Sequence, residues 1–263
     1  MSTRTHRTLA LLPALLLGTA CSDAGEPLSQ ADLQLNQDVA TYVADMTADD
    51  LYMLDVHAGG VLMDGLFNSP PPPPPRFDDL SITRDVTFYG DSDGDGIGDV
   101  EQDGYHWLET ASIHFVFHME GSHTRTGEMG TLEASVNRDR DMWLTGLLDQ
   151  ETQRTWNGTG SSAVSRSMVS DENGDRQYDL GSTSLVEDVV HGVPRSENPW
   201  PLSGTITRTV HVEIVSGDET VVRDKTVVVT FDGDQYVTMT VDGEDFELDL
   251  AERHAHRRDR VHK

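Results

Sequence analysis

The strongest constraint on the fold is an alternation of period two. In "TITRTVHVEIV" the residues Ile206, Arg208, Val210, Val212 and Ile214 share one face, and Thr205, Thr207, Thr209, His211 and Glu213 share the other. The same pattern groups Val227 with Val229 and Phe231, Val237 with Met239 and Val241, and Phe246 with Leu248 and Leu250. Strands of this kind have one apolar and one polar side, as in an antiparallel sheet covered on one face. Between them, Ser216-Gly217-Asp218, Asp232-Gly233-Asp234 and Asp242-Gly243 supply residues tolerant of positive φ, which is hairpin chemistry. Further runs at Ile82 to Tyr89, Ile113 to Met119, Thr131 to Asn137, Met142 to Leu148, Thr152 to Trp156 and Ala163 to Val169 bring the expectation to about ten strands. The predicted main domain, residues 77–250, is therefore all-β: an antiparallel meander forming a curved sheet or barrel, with a two-sheet sandwich as second choice. "VPRSENPWPLSG", with Pro194, Pro199 and Pro201, interrupts the meander and, in the second-choice sandwich, is the place for a crossing between the two sheets.

One or two short helices are predicted ahead of the sheet, within residues 22–69. Leu33, Val39, Tyr42, Val43 and Met46 recur at helical spacing behind Ser29 and Asp32, a capping-box pattern. Thr47 and Asp50 repeat that start signal before "LYMLDVHAGG", where Gly59 and Gly60 supply a stop. The prolines Pro70 to Pro75 form a rigid polyproline II spacer (70–76), since each φ is fixed and no amide is left to donate.

Residues 1–21 read as an export signal: Arg4 and Arg7 precede an apolar run from Leu9 to Leu17, followed by Gly18, Thr19 and Ala20. The run is too short to span a bilayer. Cys21, the only cysteine of the chain, comes next. This arrangement resembles a bacterial lipoprotein signal, which implies lipidation at Cys21 and attachment to the membrane through that lipid. It departs from the usual pattern in having Gly18 where a leucine is preferred, and ordinary secretory cleavage after Gly18-x-Ala20 is the alternative. Ser22 carries no charge behind the anchor, and by resemblance to lipoprotein sorting the outer membrane is the expected location. "WPLSGTITRTV" and "RTWNGTGSS" are similar to stretches of uncharacterised β-rich bacterial surface lipoproteins, a resemblance that implies a β fold and no particular activity.

With no cysteine beyond Cys21, the exported chain has neither a disulfide nor a thiolate metal site, and its stability must come from a packed core. The net charge is −27, and removing Arg4 and Arg7 with the signal takes it to −29 (−27 − 2). Such a chain is repelled by nucleic acid and by bare anionic membrane. Only Lys225 and Lys263 are lysines.

One acidic stretch has cation-binding spacing. In "YGDSDGDGIGDVEQDG", with Asp91 as position one, Asp93 and Asp95 fall at three and five, Gly96 at six, the Ile97 carbonyl at seven and Asp99 at nine. Calcium takes about six to eight oxygens, alternate side chains of a tight loop converge on one point, and a glycine permits the bend. The stretch resembles calcium loops of the thrombospondin type 3 and EF-hand kinds. That resemblance implies Ca²⁺ held by Asp91, Asp93, Asp95, Ile97 and Asp99, with Glu101 and Asp103 the nearest acids to the twelfth position, which is Gln102 here. A strand pattern precedes the loop, so an ion there is expected to act as a structural staple. A plain solvated turn is the alternative reading.

Other groups point less clearly to chemistry. Asp171, Asn173 and Asp175 repeat the one-three-five spacing, but Arg176 stands in place of the glycine. His114 and His118 share a strand face at about 13 Å, too far apart for one zinc. His254 and His256 lie in a basic C-terminal tail, 251–263, whose arginines oppose a metal. Trp107, Trp143, Trp156 and Trp200 are expected mainly in packing, with a carbohydrate surface as the alternative. No G-x-S-x-G, H-E-x-x-H, phosphate loop or cysteine nucleophile occurs, so the expected role is non-catalytic. The sequence thus points to an exported, lipid-anchored envelope protein of structural or binding role with a calcium-stabilised loop. The alternative is a carrier holding a lipid or other apolar ligand in the concavity of its sheet.

Overall fold

From Asp79 onward the chain is built of strands, as the alternation requires. The computed structural model describes residues 30–62, 79–94, 96, 98–127, 130–148, 152–169, 176–216, 219–252 and 254–257. The signal, Cys21, the polyproline run, the second acidic loop around Asp171 and the end of the basic tail lie outside the described residues.

One helix, α1 (Gln30–Leu62), precedes eleven strands in a single antiparallel sheet. They are β1 (Asp79–Gly90), β2 (Val100–Gln102), β3 (Thr110–Gly127), β4 (Gly130–Thr145), β5 (Gln153–Val169), β6 (Arg176–Gly192), β7 (Pro201–Ser216), β8 (Glu219–Thr230), β9 (Tyr236–Val241), β10 (Glu244–Asp249) and β11 (His254–Arg257). Every strand from β4 to β10 lies between its sequence neighbours, and only β2 is displaced, to the outside of β1. The predicted meander is therefore present, as an open curved sheet whose edges are β2 and β11.

Four departures from the sequence reading stand out. The helix runs as one element of 33 residues through Thr47 and Asp50, because both side chains are buried rather than turned back to cap a new start. The β6–β7 connection around Pro194 and Pro199 joins adjacent strands of the same sheet and is not a crossing. The paired runs at 131–137 and 142–148, and at 152–156 and 163–169, are the single long strands β4 and β5. Their middles carry Arg138, Arg140, Gly158 and Gly160, which break an apolar alternation on paper but not in space. The stretch 254–257, read as tail, is a strand paired antiparallel with β10, from Phe246 opposite Arg257 to Asp249 opposite His254.

The inner face of the sheet carries Ile113, Phe115, Phe117, Met119, Met142, Leu144, Ile206, Val210, Val229, Met239 and Phe246, all buried. Burying a large apolar side chain is worth about 1.5–3 kcal/mol, so this face is the main source of stability. Against it lies α1, which is buried around most of its circumference between Leu35 and Leu54: Val39, Ala40, Val43, Ala44, Met46, Ala48 and Leu51 point in successive directions and all are covered. A helix covered on so many sides must be enveloped, and the curl of the sheet does this. Its backbone runs nearest β11, with β8, β9 and β10 next. There Asn36 Nδ2 donates to Glu244 Oε2 at 3.0 Å and Gln37 Nε2 donates to the Ala255 carbonyl at 2.9 Å.

Candidate functional site

Two clusters of charge stand out, one sealed inside the fold and one at its edge. The sealed cluster joins α1 to the far strands. Arg138 Nη1 donates to Asp49 Oδ2 at 2.6 Å, and Arg140 reaches Asp50 Oδ1 through Nε at 3.0 Å and Nη2 at 2.7 Å. Arg208 Nη2 donates to the other oxygen of Asp50. The remaining donors of Arg140 are taken by the carbonyls of Asp139 and Ser161 and by Ser162 Oγ. Gly160 makes room for this side chain, since a Cβ there would stand 2.5 Å from Arg140 Cδ. Burial alone would raise the Asp50 carboxyl, yet the Arg140, Arg208 and Arg138 guanidiniums outweigh it and hold the group at about 2. Burial in turn pushes Arg138 and Arg140 down. Asp50, Arg140 and Arg208 are 5%, 5% and 0% exposed, so these ions are turned on one another and away from any substrate.

The edge cluster is the predicted acidic loop, which forms the whole β1–β2 connection. Its base is closed by Asp99 N–H donating to the Gly90 carbonyl at 2.9 Å. The Asp91 carboxylate then accepts the amides of Asp93, Gly94 and Gly96, at 3.2, 2.6 and 2.7 Å. Gly94 and Gly96 have φ of +80° and +83°, the left-handed conformation that a side chain would strain. Ser92 donates its amide and hydroxyl to Asp99, at 2.9 and 2.5 Å, and these bonds lower the Asp99 pKa. Gly98 sits directly on Tyr89, whose Cβ would lie 2.5 Å from a Cβ at position 98.

The loop is thus organised by its own carboxylates. Each carboxylate oxygen has two lone pairs, so Asp99, which accepts one bond on each oxygen from Ser92, keeps acceptor capacity, and Asp93 is exposed nearby. Gln102, the residue at the twelfth position, is turned elsewhere: its Oε1 accepts the Thr110 hydroxyl at 2.7 Å and ties β2 to the start of β3. Glu101 lies on β2 opposite Tyr89 and is exposed. Asp95 and Ile97 lie outside the described residues. Among the described residues no group of three or more His, Cys, Asp or Glu stands in metal-holding geometry.

The remaining predicted residues are dispersed. His114 and His118 occupy the outer face, opposite in direction to Phe115 and Phe117. His114 Nε2 is 2.6 Å from Asp141 Oδ1 and stacks on Trp143 at 4.4 Å, and His118 Nδ1 is 2.9 Å from Asp139 Oδ1. Trp156 is buried against Phe115, Trp200 packs against the core and Trp107 is 67% exposed, so the tryptophans line no common surface. A shallow trough of about 640 Å³ crosses the outer face, with Ala163 and Gly181 among its floor residues and Glu120 and Glu213 beside them. It lies on the side of the sheet away from α1, whereas a carrier of the expected kind would have its cavity beneath the helix.

What sequence reasoning missed was the sealed cluster. Its signal was legible in Arg208, a charge placed in register with Ile206 and Val210 on an apolar face, and in Arg138 and Arg140 at alternate positions of β4.

The class these observations define is an open antiparallel meander wrapped around one helix, with buried ion pairs between them. Comparisons with protein-family models, with curated proteins and with solved structures gave no match.

Proposed function

We propose that this is an exported, lipid-anchored cell-envelope protein with a structural or binding role and no catalysis, in which calcium rigidifies the loop from Asp91 to Asp99. The observation that carries the calcium reading is the loop itself: three backbone amides gather on the Asp91 carboxylate and set the bend at Gly94 and Gly96. An ion bridging Asp91, Asp93, Asp95, the Ile97 carbonyl and Asp99 would offset the repulsion among these acids. It would do no chemistry, and its product would be a fixed β1–β2 hairpin.

The filling of the concavity by α1 favours this reading over the carrier. So does the pairing of the charges beneath the helix, which gives an apolar ligand no dry surface at that point. The test is a thermal melt of the purified chain carrying Cys21→Ser, in EDTA and in excess calcium, beside Asp93→Ala/Asp95→Ala. A ligand bound only to the folded state raises the melting temperature by mass action. A rise that the double variant lacks supports the staple, and identical melts of both proteins in both buffers reject it.

A further inference from the structure

Among the described residues the sheet leaves one long edge without a paired strand. β2 pairs with β1 only over Phe88, Tyr89 and Gly90, so from Asp79 to Thr87 the side of β1 away from β3 has no strand beside it among the described residues. The opposite edge, β11, spans only His254–Arg257. An edge strand presents a row of amides and carbonyls that can template another strand. On β1 this row carries the strand formers Ile82, Thr83, Val86 and Thr87. Ile82 and Val86 face the core and are only partly covered there.

We propose that this edge is a homodimer interface, in which β1 pairs antiparallel with β1 of a second copy about a two-fold axis at Thr83. The occupant follows from charge and register. A two-fold perpendicular to the sheet keeps both helices on one side and pairs residues whose numbers have a constant even sum. Centring on Ile82 sets Asp79 opposite Asp85, twice, and centring on Arg84 sets Arg84 opposite itself. Like charges directly opposite are destabilising. Centring on Thr83 opposes Asp79 with Thr87, Leu80 with Val86, Ser81 with Asp85, Ile82 with Arg84 and Thr83 with its own copy. That register pairs the most residues of this edge and sets no two like charges face to face. The pairing would also extend the cover over Ile82 and Val86.

Three exposed positions, Ser81, Thr83 and Asp85, test it without touching the core. Light scattering over a concentration series, on the purified chain carrying Cys21→Ser, should show a monomer–dimer equilibrium. Thr83→Lys opposes two ammonium groups and should weaken the dimer by about tenfold at low salt, whereas Ser81→Lys faces Asp85 and should tighten it by a similar factor. In the same background Thr83→Cys should cross-link spontaneously on oxidation, because opposite Cα atoms lie about 4.5–5.5 Å apart and within disulfide reach, and Asp85→Cys should not. A chain monomeric at every concentration overturns the proposal. A dimer that ignores both lysines overturns it too, as does one that Thr83→Lys strengthens, which would place Thr83 opposite Asp85.

Discussion

Arg208, on β7, and Asp50, on α1, are 158 residues apart in sequence and share a hydrogen bond in the interior of the fold. Asp50 serves Arg140 of β4 with its other oxygen, so a single carboxylate ties the helix to two strands that are not neighbours. Such a link fixes how the helix is rotated and how far it is inserted. Asp50→Asn leaves two buried guanidiniums against one neutral amide and should cost about 3–5 kcal/mol in urea unfolding. Replacing the whole triad with apolar residues of similar volume, Asp50→Leu/Arg140→Met/Arg208→Met, should recover most of that loss, since ion burial itself carries a large desolvation cost.

The same carboxyl makes stability depend on pH in one direction. In the folded chain Asp50 titrates at about 2, below its ordinary 3.8, so the unfolded chain takes up the proton first as the pH falls. Its contribution is whole above about pH 4 and is lost as the pH drops through about 2, amounting to about 2 kcal/mol. Unfolding free energies of the native chain and Asp50→Asn, measured from pH 6 downward, should differ by a constant amount and then narrow by about 2 kcal/mol below about pH 4.

Gly160 is where the ion network and the strand meet. A methyl group there would press on Arg140 Cδ and on the Asp139 carbonyl, 2.5 and 2.9 Å away. Gly160→Ala should destabilise the chain by about 1–3 kcal/mol, as overpacking does. Part of that cost should vanish in an Arg140→Met background, so a double-mutant cycle by urea unfolding should return a coupling of about 1 kcal/mol.

These residues also explain which parts of the fold were legible. β7 to β10 could be read from sequence because most of their inward positions are apolar, Arg208, Lys225 and Glu244 excepted, and the sequence between β8 and β9 and between β9 and β10 carries Asp-Gly. β4 and β5 were each split in two, because Arg138, Arg140 and Gly160 look like punctuation until Asp49 and Asp50 are brought opposite them from α1. β6 was missed for a related reason: its inward Ser182 and Ser184 are polar, and both are buried. The start signal at Thr47 and Asp50 failed in the same way, since a capping carboxylate and an ion-pairing one are identical on paper. The acidic stretch from Asp91 to Asp99 does fall between two strands, β1 and β2, because its run of aspartates and glycines is a local turn signal that needs no distant partner.

β2 should be a locally stable element held from one side. Gln102→Ala removes its bond to Thr110 and should release the β2 amides to fast hydrogen exchange, while the melting temperature falls little, since that strand adds little to the core.

Whether the Asp91 to Asp99 loop binds calcium is tested most simply by direct titration calorimetry. The native chain should take up one ion, with a dissociation constant weakened by Gln102 at the twelfth position to about 10⁻⁴–10⁻³ M, and Asp93→Ala/Asp95→Ala should take up none. Equal heats from both proteins, or none from either, would contradict it and leave the loop a polar turn held together by Asp91.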